Sequence, residues 1–520
     1  MNGMARKAGR LWGLIALAAG LAACGGGGGG GSDTGSGSTS SSGTSSSGTS
    51  SSGTSSGISS SGGTSSSSSS GSGAVDLCQG LVTGKSLVNY SALTKPNKLQ
   101  AVTDPDFGTR IVRITDVLAD WNAKVAIPAY PTTQAWNSDE TRFVLYVTSS
   151  NGSGAQTGYA LFDGGNYHFL RWLPINPADV EQFYWSRSEP NRLYYISNGS
   201  ASGVTYMNLM SIDTETLQTT VEHDFKPDIV AQGWPTTGPV RAGYPYLIGG
   251  ANLRIWGLGA GGIGNINGAL GLNVFGYDRQ TNAIIRYADV PVQQSRLTTP
   301  FPLKSGNGLL WANGSTDTKV LDVGGHILRS LSVNGLEHAD TQISAATGHD
   351  LFISAQYDLA TGLNGNLIVA DAATGVVQTL IGEATGDGYP RSGALVGAGS
   401  YDNPGWAVTG ITGCPVGSNV SCPASANLSN SSPKTYLDQE IVVANADTGA
   451  VCRAAHHRSA GYYTSAPTNN YWAQTNVTMS PRGTRILFQS DWGSGAPTSV
   501  TIDPNAVVDT YVLELPAYSP

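Results

Sequence analysis

Charge is scarce in this chain: Asp, Glu, Lys and Arg together make up 12% of its 520 residues. With 28 basic against 36 acidic side chains the net charge is −8, and no basic run occurs beyond the first ten residues. Nucleic acid is therefore not expected as a partner, because phosphate binding needs clustered Lys and Arg. Long hydrophobic runs are also rare, and the run from Leu11 to Leu21 is too short to span a bilayer as a mature helix. Beyond the Gly/Ser/Thr tract, where Gly53 to Gly57 reads G-T-S-S-G by composition alone, the sequence has no G-x-S-x-G elbow, and it has no H-E-x-x-H and no kinase set, which removes the commonest serine hydrolase and metalloprotease templates. The Gly-rich stretch Gly257 to Gly268 carries no Walker lysine and opens no helix, so it is expected to be a mobile insertion and not a phosphate loop.

What is abundant is glycine, 69 residues of it, and a composition suited to turn-rich β structure. Residues 1–23 read as a signal peptide, with Arg6, Lys7 and Arg10 ahead of the apolar run. Leu21-Ala22-Ala23-Cys24 resembles a bacterial lipobox, which implies cleavage before Cys24, lipid on its thiol, and attachment to the membrane by that anchor alone. Gly25, where a retention signal would place Asp, points to the outer membrane or cell surface. From Cys24 to residue 74 almost every residue is Gly, Ser or Thr, a tract that cannot bury enough apolar area to fold. It is expected to be a disordered tether with a reach of about 40 Å. Four cysteines remain after Cys24. Local closure favours Cys414 with Cys422, leaving Cys78 to pin the start of the domain to Cys452.

Residues 75–520 read as one all-β domain. Tyr471 to Trp492, YWAQTNVTMSPRGTRILFQSDW, contains a full repeat unit: a short strand, a Ser-Pro-Arg-Gly turn and a second strand rich in β-formers. Strands like the second recur with centres at Leu145, Tyr194, Leu247, Leu310, Phe352, Ala407 and Leu487, at intervals of 42 to 80 residues. Such periods match four-stranded propeller blades. Third strands end in turns such as Asp371-Ala372-Ala373-Thr374-Gly375 and Asn445-Ala446-Asp447-Thr448-Gly449, in which Asp or Asn caps the hairpin and Gly accepts positive φ. The last unit lacks a fourth strand, while Thr109 to Thr115 precedes the first full blade. That strand is expected to complete blade seven and close the ring.

The turn and second strand resemble the S-P-D-G-x-x-I-x-F signature of Tol-system and related propellers, with Arg482 where Asp is usual. The final blade, with AHHRS before it and DTYVLEL after it, also resembles oligogalacturonate lyase and other propeller polysaccharide lyases. In a propeller the inner strands converge on a central funnel. That geometry nominates Trp136, Trp185, Gln232, Trp234, Arg458 and Asn476 as substrate-binding residues. The resemblance implies β-elimination on a uronic-acid-containing chain. Arg187, or a divalent metal (calcium or manganese) on His338 and Gln474, would neutralise the C5 carboxylate. His457 or His456 would be the base, and Tyr462 or Tyr471 the acid. Asn476 stands where the nearest relatives would carry His. The competing reading is a monomeric, non-catalytic propeller that binds a glycan or a protein at the cell envelope.

Overall fold

The structure is a computed structural model that describes residues 75–520 apart from 202–203, 237–239, 243–252, 261–264, 267–268, 296–298, 315, 336–338, 357–365, 388–393, 412–436, 460–471 and 494–505. The lipobox Cys24, the tether, and the Cys414 and Cys422 pair lie outside the described residues.

Alternating apolar residues determine the architecture, because successive side chains of a strand point to opposite faces. In blade six, Trp406 and Val408 pack with blade seven, whereas Ala407 between them packs with blade five. The same rule around the chain produces an apolar core in each gap between neighbouring blades. One to two is held by Val144, Phe183 and Tyr195, two to three by Ile196, Leu209 and Trp256, and three to four by Val274 and Trp311. Four to five holds Phe301 and Phe352, and the seven-to-one gap holds Val112, Leu487, Trp136 and Phe143. A core between the last blade and the first is possible only in a closed ring. The protein is a seven-bladed β-propeller.

Its innermost strands, from blade one, are Ala123–Ile127, Phe183–Trp185, Val240–Ala242, Phe301–Pro302, Ala339–Ile343, Ala394–Gly397 and Val477–Met479. Closure follows the expected route. Arg110–Arg113 pairs antiparallel with Asp509–Glu514, with Ile111 opposite Leu513 and Val112 opposite Val512. A fifth strand, Ala101–Thr103, adds outside it and covers the new edge. The capped hairpins also form. Asp371 Oδ1 accepts the N–H groups of Ala373 and Thr374 at 2.7 and 2.9 Å, and Asn445 Oδ1 those of Asp447 and Thr448 at 3.0 and 2.9 Å. Gly375 and Gly449 take φ of 81° and 72°.

Two expectations need correction. The second strand of blade three is Ile255–Ala260, which incorporates the start of the Gly-rich stretch; the segment centred on Leu247 lies outside the described residues. Its glycines serve close packing: a Cβ on Gly257 would sit 2.1 Å from the carbonyl oxygen of Pro300, and one on Gly259 would sit 2.7 Å from Leu272. In blade one, the chain reaches Gln134 and Trp136 only after the innermost strand Ala123–Ile127, so these residues lie toward its far end.

Ahead of the ring, residues 75–100 form a strap across blades six and seven. The Cys78–Cys452 disulfide (Cα–Cα 5.5 Å) fixes it to the outer strand of blade six, as local closure of the other pair would require. Arg453 donates to the carbonyls of Gly84 and Ser86 at 3.0 and 2.7 Å while paired with the buried Glu440. Trp492 Nε1 donates to Leu93 O at 2.9 Å.

Candidate functional site: the axial mouth and a buried Asp-Asp-His cluster

His338, Tyr462 and Tyr471 lie outside the described residues. Where the inner strand of blade seven begins, Gln474 is half-buried and its carbonyl accepts Gln489 Nε2 at 2.6 Å. Asn476 is buried and donates to Ala129 O at 3.1 Å, tying blade seven to blade one. His456 and His457 point to opposite sides, as neighbours on a strand must. His457 is wholly buried. Its Nε2 lies 3.0 Å from Ile411 O and its Nδ1 accepts the Ser459 N–H at 3.0 Å. Both nitrogens are therefore engaged within the fold, and no substrate proton reaches either.

Burial lowers the His457 pKa to about 3, against 6.5 for a free imidazole. The unfolded chain consequently takes up this proton first as pH falls. The stability His457 contributes is complete above pH 6.5 and is lost progressively down to about pH 3, at up to about 1.4 kcal/mol per pH unit. Thermal melts of His457→Gln, which keeps a donor for Ile411 O, should show a shallower acid limb than the parent; an identical limb would mean that His457 does not titrate in this range.

The predicted aromatic platforms are structural. Trp136 is fully buried between Phe143 and the Arg485 guanidinium, whose Cζ lies 4.2 Å from its ring centroid. Trp185 is buried with Nε1 donating to Ala135 O at 2.9 Å. Trp234 packs on Phe275 of the third strand of blade three, and Gln232 accepts Arg286 Nε at 2.6 Å from the fourth strand, both away from the axis. Arg458 is buried under the strap and donates to Ser91 O at 2.9 Å. None of these side chains faces the funnel.

Arg187 does lie on the axis, at the opposite end from Gln474. It follows the inner strand of blade two by two residues, where Gln474 precedes that of blade seven by three. There its Cζ sits 4.3 Å from the ring centroid of Tyr401, which follows the inner strand of blade six. Lys304, two residues past the inner strand of blade four, brings its Nζ 4.9 Å from the same centroid. Blades two, four and six are not neighbours, so side chains from all three meet only across the axis. Lys304 also lies 3.5 Å from Asp340, whose carboxyl is pushed up by burial against the pull of Lys304. Above this mouth, polar side chains join the inner strands. Gln134 Nε2 donates to Gly399 O and Met479 O at 2.8 and 2.9 Å, and Gln342 Nε2 to Ala398 O and Trp406 O, each at 3.0 Å. The mouth thus presents two cations around one aromatic ring, an arrangement that suits a planar carboxylate.

A second cluster lies at the rim, where blade six meets the strap. Asp104, Asp106 and His456 bring ligand atoms within 4.8 Å of one another, a set that can hold a metal ion. His456 Nδ1 is 3.6 Å from Asp106 Oδ2, and Tyr90 and Phe107 pack edge-on against its ring. Burial raises the Asp106 carboxyl, but His456 and Ser91 together hold it below the usual range. His456 and Asp104 are wholly buried, so the cluster is closed to a polymer.

Sequence reasoning missed Lys304, Tyr401, Asp104 and Asp106. Aligning the seven inner-strand turns would have placed Lys304 and Arg187 in one column, each just after the residue whose N–H bonds across the turn, Leu303 and Ser186. No comparable signal marks Asp104 and Asp106. No family model and no curated protein matches the chain. Among solved structures it is similar to an oligogalacturonate lyase in complex with manganese (13% identity, 80% of this chain and 96% of that one, TM-score 0.49). An oligogalacturonate lyase from Vibrio parahaemolyticus aligns over the same shares at 12% identity and TM-score 0.49. TolB from Acinetobacter baumannii aligns over 69% of this chain and 76% of its own at 12% identity and TM-score 0.31. At these identities the likeness is one of fold.

Proposed function

We propose that this is a cell-envelope propeller, anchored through a lipid on Cys24, that binds an acidic, uronate-bearing glycan at its axial mouth. The observation that carries this reading is the meeting of Arg187, Lys304 and Tyr401 from three non-adjacent blades. A guanidinium can grip a carboxylate through two parallel hydrogen bonds, and a neighbouring ammonium adds charge without demanding geometry. A neutral sugar can accept hydrogen bonds from both groups but brings no negative charge to meet theirs. The long Gly/Ser tract after Cys24 suits outward display of the domain on the cell surface.

Cleavage by β-elimination is a second reading, favoured by the same pair of cations: Arg187 would neutralise the C5 carboxylate and Lys304 lies within reach of the same ring. His456 and His457 have no part in it, since both are buried away from the mouth. Residues 75–520 should retain polygalacturonate or alginate and release them as salt rises, while neutral glycans pass unbound. Growth of ultraviolet absorbance from an unsaturated product would identify the lyase. Retention of neutral and acidic glycans alike would sink the reading.

A further inference from the structure

We propose that Asp104, Asp106 and His456 form a divalent-cation site that locks the outer turn of blade seven onto blade six, with the strap held to it through Ser91. His456 is wholly buried, yet neither ring nitrogen has a hydrogen-bond partner. A buried polar atom left this way is costly, and two on one ring call for a ligand. The carboxylates do not meet this need directly, because the nearest of their oxygens, Asp106 Oδ2 at 3.6 Å, is beyond hydrogen-bond reach. A cation among the three groups would take the imidazole lone pair and one oxygen from each carboxylate.

The carboxylates are already oriented for this. Asp104 Oδ1 accepts the N–H groups of Asp106 and Phe107 at 2.9 and 3.2 Å, and Oδ2 accepts a long 3.4 Å hydrogen bond from the His456 N–H. Asp106 is held by Ser91, through Oγ at 2.6 Å and N–H at 2.8 Å, which is the outer support a ligating carboxylate usually has. Arg458 Nη2, 3.6 Å from Asp104 and 3.9 Å from Asp106, offsets part of their charge without a hydrogen bond to either. Two carboxylates and one imidazole suit Zn²⁺ or Mn²⁺. Asp104 and Asp106 come from the turn between the two outermost strands of blade seven, Ser91 from the strap and His456 from blade six. Occupancy would therefore fasten the outer turn of blade seven to blade six, with the strap held through Ser91, on the strand that also carries Cys452.

The test uses residues 75–520 refolded with the disulfide intact, either in chelator or with Zn²⁺, Mn²⁺ or Ca²⁺, and then dialysed. The site predicts about one retained Zn²⁺ or Mn²⁺ per chain, and a Tm higher by about 3 °C at a hundredfold excess over Kd. Co²⁺ should give visible absorption bands, and amide exchange in residues 90–108 should slow on loading. Asp106→Asn and His456→Gln should each lose the retained metal, the bands and the Tm rise while melting near the chelated parent. No retained metal with any of the three ions, or equal retention by folded variants, overturns the proposal.

Discussion

Removing residues 104–116 should leave a chain that aggregates or melts far below the parent, because the deletion opens the ring. The lost strand pairs with Tyr511 to Glu514, so Asp509–Glu514 would become an exposed edge able to pair with other chains. Ile111, Val112 and Ile114 are all buried, and each contributes about 1.5–3 kcal/mol by leaving water. The deletion also strips the buried Asp509 of Arg113 Nη2 at 2.9 Å and Thr115 Oγ1 at 3.0 Å. Together these losses reach the roughly 5–15 kcal/mol that stabilises a typical domain. Val112→Asp is a milder version, placing one charge in the seven-to-one core. An unchanged melting temperature in both would mean that the ring closes elsewhere.

Glu140→Ala should cost about 3–5 kcal/mol, since it leaves Arg485 buried and unpaired. Arg485 is 3% exposed, with Nη2 2.8 Å from Glu140 Oε2 and Nη1 bonded to Gly164 O. Its position across the seam between blades seven and one makes the pair part of closure. Calorimetric melts should show a fall of several degrees that Arg485→Met in the same chain partly restores, because removing both charges is less costly than removing one. Glu189→Ala, which breaks the exposed pair with Arg192, should change stability by no more than about 0.5 kcal/mol. Equal effects from the two substitutions would contradict the buried-charge account.

The ring was legible because its signal is local and repeated. Seven second strands, the Asx-capped hairpins at Asp371 and Asn445, and the unpaired Thr109 to Thr115 each follow from patterns within a few residues. Blade three misled for a physical reason: Gly257 and Gly259 look like a loop, whereas their missing side chains are what lets the strand lie against Pro300 and Leu272. The site was less legible, because a position near an inner strand does not reveal whether the side chain turns toward the axis. Trp136 and Trp185 turn into the inter-blade cores, and Asn476 is taken up by Ala129. Arg187 does reach the axis, but from the trailing end, and the ring it meets comes from Tyr401, more than two hundred residues away in sequence. Alternation did separate His456 from His457, but only the folded chain shows that Asp106 of blade seven and Tyr90 of the strap claim His456.

The most direct measurement is a calorimetric titration of oligogalacturonate into residues 75–520 and into Arg187→Ala, with a melt of each. Arg187 is only half-buried and makes no close ion pair among the described residues, being attracted at longer range by Asp402, so its removal should change the melt little. Loss of a charge-assisted grip on the carboxylate predicts affinity about tenfold weaker or worse, and a smaller dependence on salt. Equal affinity and equal salt dependence in parent and variant would contradict the assignment of acidic-glycan binding to the axial mouth.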